Sequence, residues 1–297
     1  MAYLRIGLYH LAVQNNPART VSDVLAFVQN LPNDASRSQT LSATEDMRPR
    51  SLQRDNEVWI GEFTRIHKID TLPLTHPSGQ ERVLEFGPDD PHPSEHTVFL
   101  FDPQSNVLHI DEHAGAVTHA GFARYIQAVE QLRSVSATPI IGADAMMRFA
   151  RQENFSRITV SLAGMDNAEY LRSLGFNQEE LLRLIDLFNA PKVKLEMSIA
   201  SRKHDPEGLA RVRETVGALL NLPSKQLKKL VVEGREQGGS EDFPVDLIKG
   251  RVKYIKEVEL DQGRIADADR YRAVREAWER NRDELRGRFT AAPEQPQ

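Results

Sequence analysis

Residues His109-Ile110-Asp111-Glu112-His113 place four metal-capable side chains in five positions. Read as H-x-x-E-H, they match the zinc signature of one class of metallohydrolases. That chemistry needs a helix, where residues four apart stand roughly 6 Å from each other on one face. The flanking sequence predicts a strand instead, because HTVFLFD and NVLHIDE surround the turn residues PQSN in the manner of a hairpin. In a strand the two histidines stand about 13 Å apart, beyond the reach of one zinc ion. We therefore read HIDEH as a polar strand end entering a turn, and expect no metal and no cofactor. A metal-dependent nuclease or hydrolase using His109, Asp111, Glu112 and His113 is the alternative.

Other catalytic signatures are missing from the sequence. No glycine-rich phosphate loop leads into a lysine, no G-x-G-x-x-G follows a strand, and no G-x-S-x-G nucleophile elbow occurs. The chain has no cysteine, which excludes disulfides, thiolate catalysis and cysteine-ligated zinc together. No catalytic residue is assigned.

Positive charge offers a second chemistry. In KVKLEMS, Lys192 and Lys194 share one face of a strand, with Val193, Leu195 and Met197 on the other. In DLIKGRVKY, Lys249, Arg251 and Lys253 share a face. Side by side, these strands line one surface with cations at spacings suited to phosphates, and Arg202, Lys203, Lys228 and Lys229 widen it. The same pattern fits the solvated face of an ordinary antiparallel sheet.

The elements that must position these groups follow from periodicity. LRIGLYHLAV predicts a strand, and Thr20 with Asp23 forms a capping signal before the helical spacing of Val21, Val24, Leu25 and Val28. Residues 33–56 carry almost no large apolar side chain and predict a long exposed loop. NEVWIGEFTRIHKI and ERVLEFG predict strands, and a helix begins after Thr118 with Phe122, Tyr125, Ile126, Val129 and Leu132 as its stripe. A second domain starts near Ala137. It comprises the strand RITVSLAG, helices at NAEYLRSLG and QEELLRLIDLF, the alternating strand KVKLEMSIAS, a helix from Pro206 to about Leu222 and another from Ser224 through LKKLVVEG. DLIKGRVKYIKEVEL is the last strand, and Asp267 to about Phe289 the last helix. On that helix Tyr271, Val274, Trp278 and Leu285 trace a seam that suits either its own domain or the same helix of a second subunit. The expected fold is α+β in two lobes, 1–136 and 137–289, each a small, mostly antiparallel sheet with helices packed on one face. Residues 290–297 form a disordered tail.

With 297 residues, 40% of them hydrophobic and 27% charged, the chain has the composition of a globular protein with real cores. The net charge of −5 hides an asymmetry. From Lys192 onward 22 Lys and Arg stand against 19 Asp and Glu, leaving 16 against 24 in the first 191 residues. Its apolar runs are strand-sized, and the start MAYLRIGLYHLAV has no basic leader, so the expected location is the cytoplasm.

The strand IHKID (Ile66 to Asp70), the strand FLFD (Phe99 to Asp102) followed by a helix, and a C-terminal half ending in strand and long helix resemble the RexA-type phage-exclusion proteins. More loosely, they resemble the DNA-binding subunit of Kiwa-type antiphage systems. The resemblance implies a two-lobed homodimer that binds DNA largely without sequence preference and signals to a membrane partner encoded beside it. It carries over no catalytic motif. The expected function is thus cytoplasmic, sequence-independent DNA binding in phage exclusion, and the remaining alternative is a protein-interaction module without nucleic acid.

Overall fold

The first strand, β1 (Ala2–Gln14), shows how the larger part of the molecule is built. Leu4, Ile6 and Leu8 point to one side and Tyr9 and Leu11 to the other, and all five are buried. A strand buried on both faces needs a layer on each side. The structure, a computed structural model, describes residues 1–14, 20–32, 35–76, 78–87, 90–113, 115–130, 134–163, 192–198, 206–220, 227–236, 241–261 and 263–289.

The chain divides into two compact units, one formed by Met1–Ala137 with Lys253–Gln297, the other by Thr138–Val252. By this division the C-terminal strand and helix belong with the first unit. In that unit α1 (Val21–Gln29) is followed by β2 (Gln39–Ser42), β3 (Glu45–Asp55), β4 (Val58–His67), β5 (Thr71–Thr75), β6 (Glu81–Glu85), β7 (Ser94–Asp102) and β8 (Val107–Asp111). Next come α2 (His119–Glu130) and β9 (Ser134–Pro139). An eight-stranded sheet runs in the order β14-β1-β8-β7-β4-β3-β2, with β9 also pairing with β1 and β14 spanning Lys253–Val258. Neighbours along that path pair antiparallel. β5 and β6 form a separate hairpin.

One face of the large sheet packs Tyr9, Trp59, Phe63, Phe99, Phe101 and Ile110 against α1 and α2. The cap at Thr20 forms as expected: Thr20 Oγ1 accepts from the Asp23 amide at 3.2 Å, and the Thr20 amide donates to Asp23 Oδ2 at 2.8 Å. The other face packs Leu4, Ile6, Val58, Ile60, Val98 and Leu100 against Ala273, Val274, Ala277 and Trp278 of α5 (Asp267–Phe289). The α+β class with antiparallel sheets holds. Helices on one face only do not, since α5 covers the second face of this sheet. The seam through Val274, Trp278 and Leu285 is buried on the helix's own unit, the first of the two uses its spacing allows.

The exposed loop expected over 33–56 is corrected as well. Its latter part forms β2 and β3, and Asn56 takes φ 53° in the tight turn between β3 and β4. β3 is polar because only Met47, Pro49 and Leu52 are buried along it. Backbone pairing with β4 holds the strand, not a continuous apolar face.

The second unit contains α3 (Ala143–Arg151), β10 (Gln152–Ala163), β11 (Lys192–Ser198), α4 (Pro206–Leu220), β12 (Leu227–Glu236) and β13 (Phe243–Asp246). Its antiparallel sheet runs β11-β10-β12-β13. Ile158, Val160, Leu162, Leu230 and Val232 build its core with Val216 and Leu219 of α4. LKKLVVEG is therefore strand, not helix. The helices expected at NAEYLRSLG and QEELLRLIDLF lie outside the described residues, as does the tail. Among the described residues no helix is long and apolar enough to cross a membrane.

Candidate functional site

HIDEH occupies the end of β8 and the residues after it, so its side chains part to opposite faces of the sheet. His109 is fully buried, and burial lowers its ring to about 4, opposed in smaller measure by the Asp102 carboxylate and the Leu100 backbone. Asp111 is buried too. Arg270 of α5 donates to its Oδ2 at 2.5 Å, and His113 Nδ1 lies 3.2 Å from the same oxygen. Glu112 accepts from the Tyr9 hydroxyl and sits 3.6 Å from Lys253 Nζ. A Cβ at Gly7 would meet the Glu112 carboxylate and the Tyr9 ring, so a larger residue in β1 there would have to displace them. Each acid of the motif thus anchors a neighbouring element. Among the described residues no three His, Asp or Glu side chains gather closely enough to hold a metal ion.

The cations expected on one surface separate. β14, which begins at Lys253, pairs with β1, whereas β11 pairs with β10 in the other unit, so the two strands are not neighbours. Lys249 and Arg251 are not on a strand with Lys253 either. Asp246 Oδ1 accepts from the amides of both Ile248 and Lys249 at 3.1 Å, and this turn curls the chain before β14 can start. Lys249 points to solvent, 3.9 Å from Asp246, while Arg251 is buried at an isolated bridge to Ile141. Arg202 and Lys203 lie outside the described residues.

What the second unit does bring together is a shorter row. In register across three strands stand Lys194 of β11, Ser161 of β10 and Lys229 of β12. Lys228 and Lys229 are both exposed, and Lys192 takes the register position opposite Ala163. Farther along the same face the charge is balanced. Arg157 lies 3.5 Å from Glu196 and 3.7 Å from Glu233, and Lys194 Nζ lies 3.4 Å from Glu196.

The first unit contains a cavity of about 700 Å³ that no motif announces. Its floor is two rows of the large sheet, Asp46–Ile66–Ser94 and Arg48–Thr64, and Phe86, Gly87, Asp90, Pro91 and His92 form a wall. Next to Thr64, His96 Nδ1 lies 2.6 Å from buried Glu62 and 3.3 Å from Thr64 Oγ1. Sequence reasoning missed this site because its residues come from β3, β4 and the connections around the β5–β6 hairpin, at spacings set only by cross-strand register. Alternation of polar residues along a strand assigned to a loop was the signal available.

The fold and these sites define an antiparallel α+β protein with an extra helix on the second face of its large sheet. The chain belongs to a family of unknown function, DUF6731, whose model matches residues 36–284. No curated protein matches the chain.

Proposed function

We propose that this is a cytoplasmic, sequence-independent DNA-binding protein of a phage-exclusion system, working as a homodimer beside a membrane partner. The single observation that supports it is the register of Lys194 and Lys229 on either side of Ser161, with Lys228 exposed next to them. Two strands away from each other, such side chains stand about 10 Å apart, a span over which lysines reach successive backbone phosphates. The resemblance to the RexA-type proteins supplies the biological setting.

Three phosphate contacts give a salt slope contribution of roughly 0.9 each. Replacing Lys194, Lys228 and Lys229 with glutamine is expected to flatten the slope of log affinity against log salt by about 2 to 3 units. The loss should be equal for unrelated duplexes, because phosphate contacts carry no sequence information. No duplex binding by the unaltered protein at about 50 mM salt, or an unaltered slope in the triple variant, would overturn the reading.

A further inference from the structure

We propose that the cavity of the first unit binds a nucleoside monophosphate or a close analogue, a flat ring carrying a single phosphate. This goes beyond the DNA-binding reading and rests on different residues.

The cavity is large enough for such a ligand, since small-molecule sites typically span about 300 to 1,000 Å³. Its charged groups are unequally engaged. Asp46 is taken: Lys68 Nζ lies 2.7 Å from its Oδ1, and the Thr40 hydroxyl donates to the same oxygen at 2.7 Å. Asp90 is taken as well, its Oδ2 accepting from the Gly87 amide at 2.6 Å. Among the described residues, Arg48 Nε and His92 Nδ1 are buried atoms that meet no hydrogen-bond partner. Both residues line the cavity, and beyond Nε the Arg48 guanidinium carries four further N–H donors for a group bound there. The guanidinium asks for an acceptor, and oxyanions match its planar fork.

Phosphate fits better than carboxylate because Arg48, Lys68 and His92 all line the cavity and a tetrahedral group can accept from several directions, the Lys68 ammonium having donors beyond the one that meets Asp46. One phosphate fits better than a chain of them. Asp46, Asp70 and Asp90 line the same space, and each added phosphate charge would meet them. The Asp70 carboxylate suits the hydrogen-bond donors of a ribose or an exocyclic amine. The Phe86 and His92 rings, 5.7 Å apart at 34°, give a wall for a planar base, with Ile66 beneath.

The test is calorimetric titration of the full chain with the four ribonucleoside monophosphates, the matching nucleosides and triphosphates, and inorganic phosphate. At least one monophosphate should bind saturably below about 1 mM, and at least tenfold tighter than its nucleoside and its triphosphate. Arg48→Gln should weaken it tenfold or more. Phe86→Ala, at a partly exposed wall residue, should also weaken it while leaving circular dichroism unaltered, so a folding defect in the first variant does not spoil the test. The variant lacking Lys194, Lys228 and Lys229 should bind the monophosphate normally, which separates this site from DNA binding. Absence of saturable monophosphate binding, or equal affinity in the Phe86 variant and the parent, would overturn the proposal.

Discussion

Arg286 holds Asp102 with two arms, Nε to Oδ2 at 2.8 Å and Nη2 to Oδ1 at 3.1 Å, tying the last turn of α5 to the end of β7. The Trp278 indole donates to the same carboxylate at 3.3 Å and the Gln104 amide at 3.0 Å. Burial by itself would raise this carboxyl; the Arg286 bonds, with those of Gln104 and Trp278, outweigh it and leave it below its ordinary value. The pair extends a pattern in which Arg270 meets Asp111 and Arg275 meets Asp55. α5 is thus fastened to the sheet by arginine–carboxylate pairs around a small apolar centre.

Asp102→Ala should therefore cost about 3 to 5 kcal/mol, since it strands a guanidinium that is only 17% exposed. Urea unfolding at neutral pH measures it. A loss below about 1 kcal/mol would show that Glu57, 3.1 Å from Arg286 Nη1, suffices as a partner. Because the folded carboxyl lies low, its stabilisation is present above the unfolded value near 4 and fades as pH falls through the folded one.

His109 works in a higher window. Its ring falls from 6.5 to about 4 on folding, so between those values the unfolded chain binds the extra proton. Stability contributed by the neutral ring is complete above about pH 6.5 and declines toward pH 4, by on the order of 3 kcal/mol. His109→Leu should flatten that part of the stability curve measured from pH 7 to 4. An unchanged slope would mean that the ring accepts a proton in place.

Proteolysis probes the strand that replaced a loop. Arg54 of β3 pairs with Trp59 of β4 and Arg50 stands in the same strand, at the irregularity between Pro49 and Ser51, whereas Arg82 lies in the exposed β5–β6 hairpin, whose two strands, among the described residues, pair with each other alone. Trypsin should cut after Arg82 at least tenfold faster than after Arg50 or Arg54, because isolated two-stranded hairpins open readily. Faster cleavage at Arg50 would restore the loop.

β1, α1, α2, the β7–β8 hairpin and α5 were legible because each carries its own periodicity and punctuation, such as the Thr20 cap or the PQSN turn. β3 was not, because partner strands hold it and its apolar residues are few. LKKLVVEG looked helical from the spacing of Leu227 and Leu230, yet Val231 and Val232 pair with Thr159 and Ile158, and tertiary pairing overrides that local preference. The cationic surface was half legible. Along β11 alternation turns Leu195 and Met197 toward the core and leaves Lys194 and Glu196 exposed, but nothing local reveals that Lys249 and Arg251 precede β14 or that β14 leaves for another sheet.

Glu196 gives the sharpest test of the nucleic-acid reading, because it lies within ion-pair distance of both Arg157 and Lys194. These contacts are solvent-exposed and add little to folding, so Glu196→Gln should leave stability within about 0.5 kcal/mol. For a polyanion the change is larger. It removes a negative charge from the face carrying Lys194 and Lys229 and frees Lys194 for a phosphate oxygen, while Arg157 keeps Glu233 at 3.7 Å. Duplex affinity at about 0.1 M salt should rise several-fold, and the salt slope should steepen by about 1 unit, the contribution of one added phosphate contact. If the variant binds DNA no better, or more weakly, the lysine row is a solvated sheet face, and the cavity of the first unit is left as the place to look for a ligand.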